Sequence, residues 1–143
     1  MANEINLQRF VDAQQPDYSI ALSEIKSGRK RSHWMWYIFP QIFGLGSSET
    51  SRFYAIKSVK EAEEFLRHPL LGKRLIEICS ALVQLRTNDA HEIFGNPDDL
   101  KLQSSMTLFS ILPEADPVFN KVLEKFFKGK KDKKTIDIIS AEG

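Results

Sequence analysis

Hydrophobic positions recur along this chain at the three-and-four spacing of amphipathic helices, punctuated by proline, glycine and capping residues. Leu7, Phe10, Val11 and Gln14 share one side of a helix predicted over residues 3–14. Pro16 and Asp17 end it and open a second, because proline suits a first helical turn and aspartate a cap. Tyr18, Ala21, Leu22 and Ile25 make that helix's inner stripe, and Gly28 is its stop. Ser58 with Glu61 spells the S-x-x-E capping box, which starts a helix running through Phe65 and Leu66. Pro69 opens the longest stripe, residues 69–86, with Leu71, Leu75, Ile78, Cys79, Leu82 and Val83 on one side. A short turn of helix runs from Asp89 to Phe94 and stops at Gly95. Asn96, Pro97, Asp98 and Asp99 then read as cap, first-turn proline and two acids suited to a helix N-terminus. The helix they begin places Leu102, Met106 and Phe109 on an inner line and Lys101, Ser104 and Ser105 on another. Asp116-Pro117 repeats the start signal for a helix bearing Phe119, Val122, Leu123, Phe126 and Phe127, closed by Gly129. The remaining tail is predicted to dock Ile136, Ile138 and Ile139 and to leave a loose end.

Alternating strand patterns that meet at a hairpin turn are missing from the sequence. The predicted fold is all-α: a compact single-domain bundle of about seven short helices over residues 1–143, with its core at about 5–139.

One stretch departs from this regularity. Residues 29–46, RKRSHWMWYIFPQIFGLG, hold both tryptophans, three further aromatics, a basic lead-in and two closing glycines. Ser32 could cap a short helix through Ile38, ended by Pro40; an extended reading of residues 34–39 fits nearly as well. In a strand Trp34 and Trp36 would face one side, and in a helix they would diverge. Either way one of them belongs to the core, since tryptophan supplies much burial to a small domain. Residues 44–51, GLGSSETS, read as the most loop-like part of the interior.

The chain's 143 residues suffice for one core without staples, and 42% hydrophobic and 27% charged residues are ordinary for a globular protein. A net charge of +1 gives no global case for nucleic acid or membrane binding, although residues 121–134 hold seven lysines. Such runs are usually solvated faces. Cys79 is the only cysteine, so an intrachain disulfide is excluded and a reducing compartment fits. The N-terminal MANEINLQRF lacks the layout of a secretory signal, and no stretch approaches a membrane span. A cytoplasmic location is expected.

Chemistry-bearing motifs are sparse. His33, His68 and His91 form no ligand pair, so no metal site is predicted. There is no phosphate-binding P-loop, nucleophile elbow or dinucleotide fingerprint, and no cofactor is implied. Gly44, Gly46 and Ser47 could cradle an anion if a helix begins just beyond them, although a tight structural turn is the plainer reading.

The runs SHWMWYIFPQIFGLG, YAI, EAEEFLRHPLLGKRL, IFGNPDD, KLQSSMTLF and a closing G…D…T resemble a bacterial domain-of-unknown-function family, number eighteen-ten. Its members have sometimes been labelled calpastatin, but calpastatin is a disordered inhibitor and this chain has a patterned core. The resemblance spans about Leu7 to Ile139 and implies a mostly helical bacterial cytosolic protein without an established activity. A remoter similarity, in order of elements only, is to the NADAR-type N-glycosidases acting on ADP-ribose-like compounds. That family's acidic catalytic residues find no counterparts in this chain, and fold alone does not carry function.

Two functions follow as expectations. The first is a small-ligand domain for a nucleotide or ADP-ribose-like compound, drawing on Arg31, His33, Trp34, Trp36, Gln41, Gly44, Gly46, Ser47, Lys101, Ser104, Ser105 and Thr107. A carboxylate such as Glu49 would accept a proton if the chain is an enzyme, but no catalytic residue is assigned. The second is a protein-interaction module using residues 29–46; oligomeric state is left open.

Overall fold

Six consecutive residues of one helix, Ser104 to Phe109, are buried, and the other elements are arranged around them. A computed structural model of the chain describes residues 5–142. Residues 3 and 4 of the first predicted helix, and the four N-terminal residues read for a leader, lie outside the described residues.

Among the described residues there are nine helices: α1 Gln8–Lys26, α2 Met35–Ile38, α3 Glu49–Tyr54, α4 Val59–Arg67, α5 Leu71–Val83, α6 Ala90–Phe94, α7 Asp98–Ser110, α8 Val118–Phe127 and α9 Lys133–Glu142. The only β-pairing among them is an isolated bridge between Ile42 and Ile56. The central helix α7 packs against α4, α6, α8 and α9, while α5 lies against α1, α4 and α8. Such all-round burial removes the one-sided apolar stripe that an exposed helix shows. Phe65, Phe109 and Phe119 interlock across this centre with ring centroids 5.5 and 5.7 Å apart.

The count of seven helices is corrected to nine: the ambiguous aromatic stretch contributes α2, and three further local differences account for the rest. The two helices predicted around Pro16 are a single α1 that carries Pro16 inside it. Phe10, Gln14, Tyr18, Ala21 and Ile25 form one buried stripe straight through the proline. Packing of that stripe overrides a penalty of about 3 kcal/mol for interior proline. Second, α3 occupies part of the stretch read as loop. Ser48 caps it by accepting from Ser51 N at 3.1 Å, and of its six residues only Ser51 is buried. Third, the tail is helical to Glu142, whose carboxylate accepts from Val59 N at 3.0 Å.

The Ser58–Glu61 box forms in altered form. Ser58 Oγ accepts from Glu61 N at 3.1 Å, but the Glu61 carboxylate reaches one residue further back, to Lys57 N at 2.9 Å. The same oxygen is paired with the Arg9 guanidinium at 2.9 Å, both side chains being buried. This pair ties the start of α1 to α4. Where α4 turns into α5 the backbones nearly touch: a Cβ built on Gly72 would lie 1.9 Å from the Leu66 carbonyl oxygen.

Candidate functional site

Within the aromatic stretch Met35–Ile38 form helix α2 with Trp34 at its N-cap, and the two tryptophans part company. Trp34 is fully buried against Phe39 and Phe94, at centroid distances of 6.1 and 6.4 Å. Trp36 is half-buried and lines a surface cleft. Trp34 is thus the core residue.

Glu24 organises the basic lead-in, a role that sequence reading missed. Its carboxylate accepts from Arg31 N at 2.8 Å, Ser32 N at 3.0 Å, Ser32 Oγ at 2.5 Å and Trp34 Nε1 at 2.9 Å. Burial alone would raise its pKa, but the donors from Ser32, Arg31 and Trp34 together lower it from an ordinary 4.5 to about 2. Arg31 therefore contributes through its backbone, with its side chain exposed, and His33 is exposed as well, its carbonyl accepting from Tyr37 Oη at 3.3 Å. Neither lines the cleft. Lys30 is spent on structure: its ammonium pairs with Asp98 at 2.9 Å and sits 5.1 Å from the Trp34 ring centroid.

The cleft lies between the α2–α3 connection, the start of α7 and the start of α9, with a volume of about 360 Å³. Of the residues expected from sequence, it gathers Trp36, Gln41, Gly46, Lys101 and Ser104. Gly44 lines a smaller crevice on the same glycine turn, shared with Trp36, Gln41 and Gly46. Gly46 is needed there because a Cβ would stand 2.7 Å from Ser51 Oγ. Ser47 is exposed and lines neither.

Lys101 supplies the charge. Its Nζ lies 3.8 Å from the Trp36 ring centroid and 3.2 Å from Asp98 Oδ1. Asp98 thus bridges Lys30 and Lys101, joining the aromatic stretch to α7. Lys134 adds a second ammonium from α9, and Leu45, Pro97 and Leu100 add apolar wall. None of these four was singled out from sequence. In the sequence Leu45 sits in the glycine turn, Pro97 reads as a first-turn helix proline, and Lys134 is one of a run of lysines.

The polar line of α7 serves a different purpose. Ser104 Oγ hydrogen-bonds Thr135 Oγ1 at 2.9 Å, and Thr107 Oγ1 accepts from Asp132 N at 2.9 Å while donating to Gln103 O at 2.8 Å. Asp132 Oδ2 in turn accepts from Thr135 N at 3.0 Å and Thr135 Oγ1 at 2.5 Å, capping α9. Ser104 and Thr107 are therefore the seat of α9. Ser105 is buried, its hydroxyl is without a hydrogen-bond partner, and it lies away from the cleft.

The cleft's own carboxylate, Asp132, caps α9 through Oδ2, and Glu49 is exposed on α3 outside the cleft. Among the described residues no three His, Cys, Asp or Glu side chains gather to hold a metal, and no helix is long and apolar enough to cross a membrane. Cys79 is buried beside Met106, its thiol pushed up by burial and by the Asp116 charge, which makes it a poor nucleophile.

A search of curated proteins finds no match to this chain. Among solved structures, the conserved hypothetical protein Rv1873 from Mycobacterium tuberculosis is 46% identical, with 95% of this chain and 97% of that one covered and a TM-score of 0.93. Residues 4–139 match the family described as "Protein of unknown function (DUF1810)". The chain belongs to the DUF1810 family.

Proposed function

We propose that the cleft under Trp36 binds a small planar anion of mononucleotide size, and that the chain works as one ligand-binding domain. The observation that carries this reading is Lys101 Nζ poised 3.8 Å over the half-buried Trp36 ring at the mouth of a 360 Å³ cleft. A cation already partly desolvated by an aromatic ring is favourably placed to meet a phosphate or carboxylate. The exposed remainder of Trp36, with Leu45 and Leu100, offers apolar contact to a base.

Cleft volume narrows the ligand class. Small-molecule pockets start at about 300 Å³. This cleft lies near that lower bound, which favours a nucleoside monophosphate over a complete ADP-ribose or NAD. At roughly −0.3 kcal/mol per heavy atom, a ligand of about 23 heavy atoms reaches a Kd on the order of 10 μM.

A thermal-shift panel of AMP, adenosine, ADP-ribose, NAD and a short oligonucleotide tests the reading. Ligand at a hundredfold its Kd adds about 2.7 kcal/mol, which raises Tm by roughly 5–10 °C. AMP is expected to give the largest shift. A flat panel with folded protein would leave the second reading, a protein-interaction surface. That reading is favoured by Phe43 and Phe53, which are 44% and 55% exposed in the two segments joined by the Ile42–Ile56 bridge.

A further inference from the structure

A second groove, of about 350 Å³, opens where α4 and α5 meet the α7–α8 connection. Its apolar surface comes from Leu66, Ile76, Leu112 and Pro113. Its polar lining has the opposite sign to the Trp36 cleft: Glu63, Glu114 and Asp116 stand against Arg67 alone. Arg67 is already engaged, with Glu114 at 3.3 Å and Glu64 at 3.8 Å. Asp116 accepts from Val118 N through one oxygen at 2.8 Å, which leaves its second oxygen available. Among the described residues neither Glu63 nor Asp116 has a cationic partner.

We propose that this groove binds an amphipathic organic cation, an ammonium or guanidinium group carried on an apolar body. The apolar walls bury the body, and the carboxylates of Glu63 and Asp116 receive the cationic head from two separate elements, α4 and the α7–α8 connection. A metal ion is a poor occupant, because no three acidic or histidine side chains converge among the described residues. The local charge also runs against the molecule as a whole. With a formal net charge of +1, the chain concentrates three carboxylates against one paired arginine around one apolar floor. The site is independent of the Trp36 cleft in its residues and in the sign of its charge.

Phenethylammonium chloride is the probe, and methyl and amide NMR shifts of the full chain are the readout. The groove predicts saturable shifts confined to Leu66, Ile76, Leu112 and their neighbours. Affinity falls roughly tenfold for phenethyl alcohol, which keeps the shape and loses the charge. Glu63→Gln reproduces that loss, and Glu114→Gln, which removes a carboxylate from the groove and leaves Arg67 only its Glu64 pair, weakens binding as well. Equal affinity for the neutral alcohol would overturn the proposal and leave a merely apolar crevice. Shifts centred on Trp36, or none up to the solubility limit, would overturn it equally.

Discussion

Lys101 Nζ is held between the Trp36 ring, 3.8 Å from its centroid, and the Asp98 carboxylate, 3.2 Å from Oδ1. Asp98 takes its other contact from Lys30, which covers Trp34 in the same manner. Two lysines, two tryptophans and one aspartate therefore form a single cluster that joins residues 30–36 to α7. The buried Lys30–Trp34 half is structural, and the Lys101–Trp36 half is open to solvent. Lys101→Gln removes a partly buried pair, whose side chains are 21% and 19% exposed, and is expected to cost about 1 kcal/mol, a fall in Tm of roughly 3–4 °C. The same change is expected to weaken AMP binding about tenfold, as loss of one charge-assisted contact does. Calorimetry on both proteins checks it.

The tryptophans should separate in the same way. Trp34→Phe leaves a cavity in the core and removes a donor from Glu24, at a cost of roughly 2–4 kcal/mol. Trp36→Phe is expected to cost less than about 1 kcal/mol while abolishing the ligand-dependent thermal shift. Denaturant midpoints with and without AMP read both effects.

How far the sequence foretold this site depends on the residue. Trp36, Gln41, Gly46 and Lys101 were legible because aromatic, glycine and cationic residues cluster around two short segments. Ser104 was legible as polar, but its partner Thr135 lies 31 positions away and local spacing cannot reveal it. The same non-locality hid Glu24, which looks like any exposed acid on α1 until the chain returns Ser32 and Trp34 to it. Helix signals were reliable where a cap or a first-turn proline precedes an apolar stripe, as in α4, α5 and α8. They failed at α1, where packing outweighs Pro16, and at α3, which buries almost nothing.

Glu24 makes a pH prediction. Its folded pKa of about 2 lies below the ordinary 4.5. The stability it contributes is therefore fully present above 4.5 and is lost as pH falls toward 2. Glu24→Gln should be destabilised at pH 7, and its stability difference from the parent should shrink as pH falls through that window. Urea unfolding at several pH values measures it; a difference that stays constant would remove Glu24 from this role.

Gly72→Ala tests the α4–α5 contact. The new methyl would collide with the backbone carbonyl of Leu66, which has no rotamer to escape through, so a loss of roughly 3 kcal/mol or more is expected. An unchanged Tm would contradict the close approach.

Asp132→Ala addresses the far wall of the cleft. Without its cap and the Thr135 contact, α9 should lose amide-exchange protection over residues 133–142 while α5 and α8 keep theirs. Lys134 leaves the cleft with it, so AMP affinity should fall as well.

The most direct measurement is calorimetric titration of the full chain with AMP and, separately, with adenosine. The Trp36–Lys101 cleft predicts saturable AMP binding with a Kd on the order of 10 μM, and adenosine binding about tenfold weaker. Lys101→Gln should bring AMP most of the way down to the adenosine value, with Lys134 supplying the remainder. Equal affinities for the two compounds, or no heat from AMP, would contradict the anion-binding account.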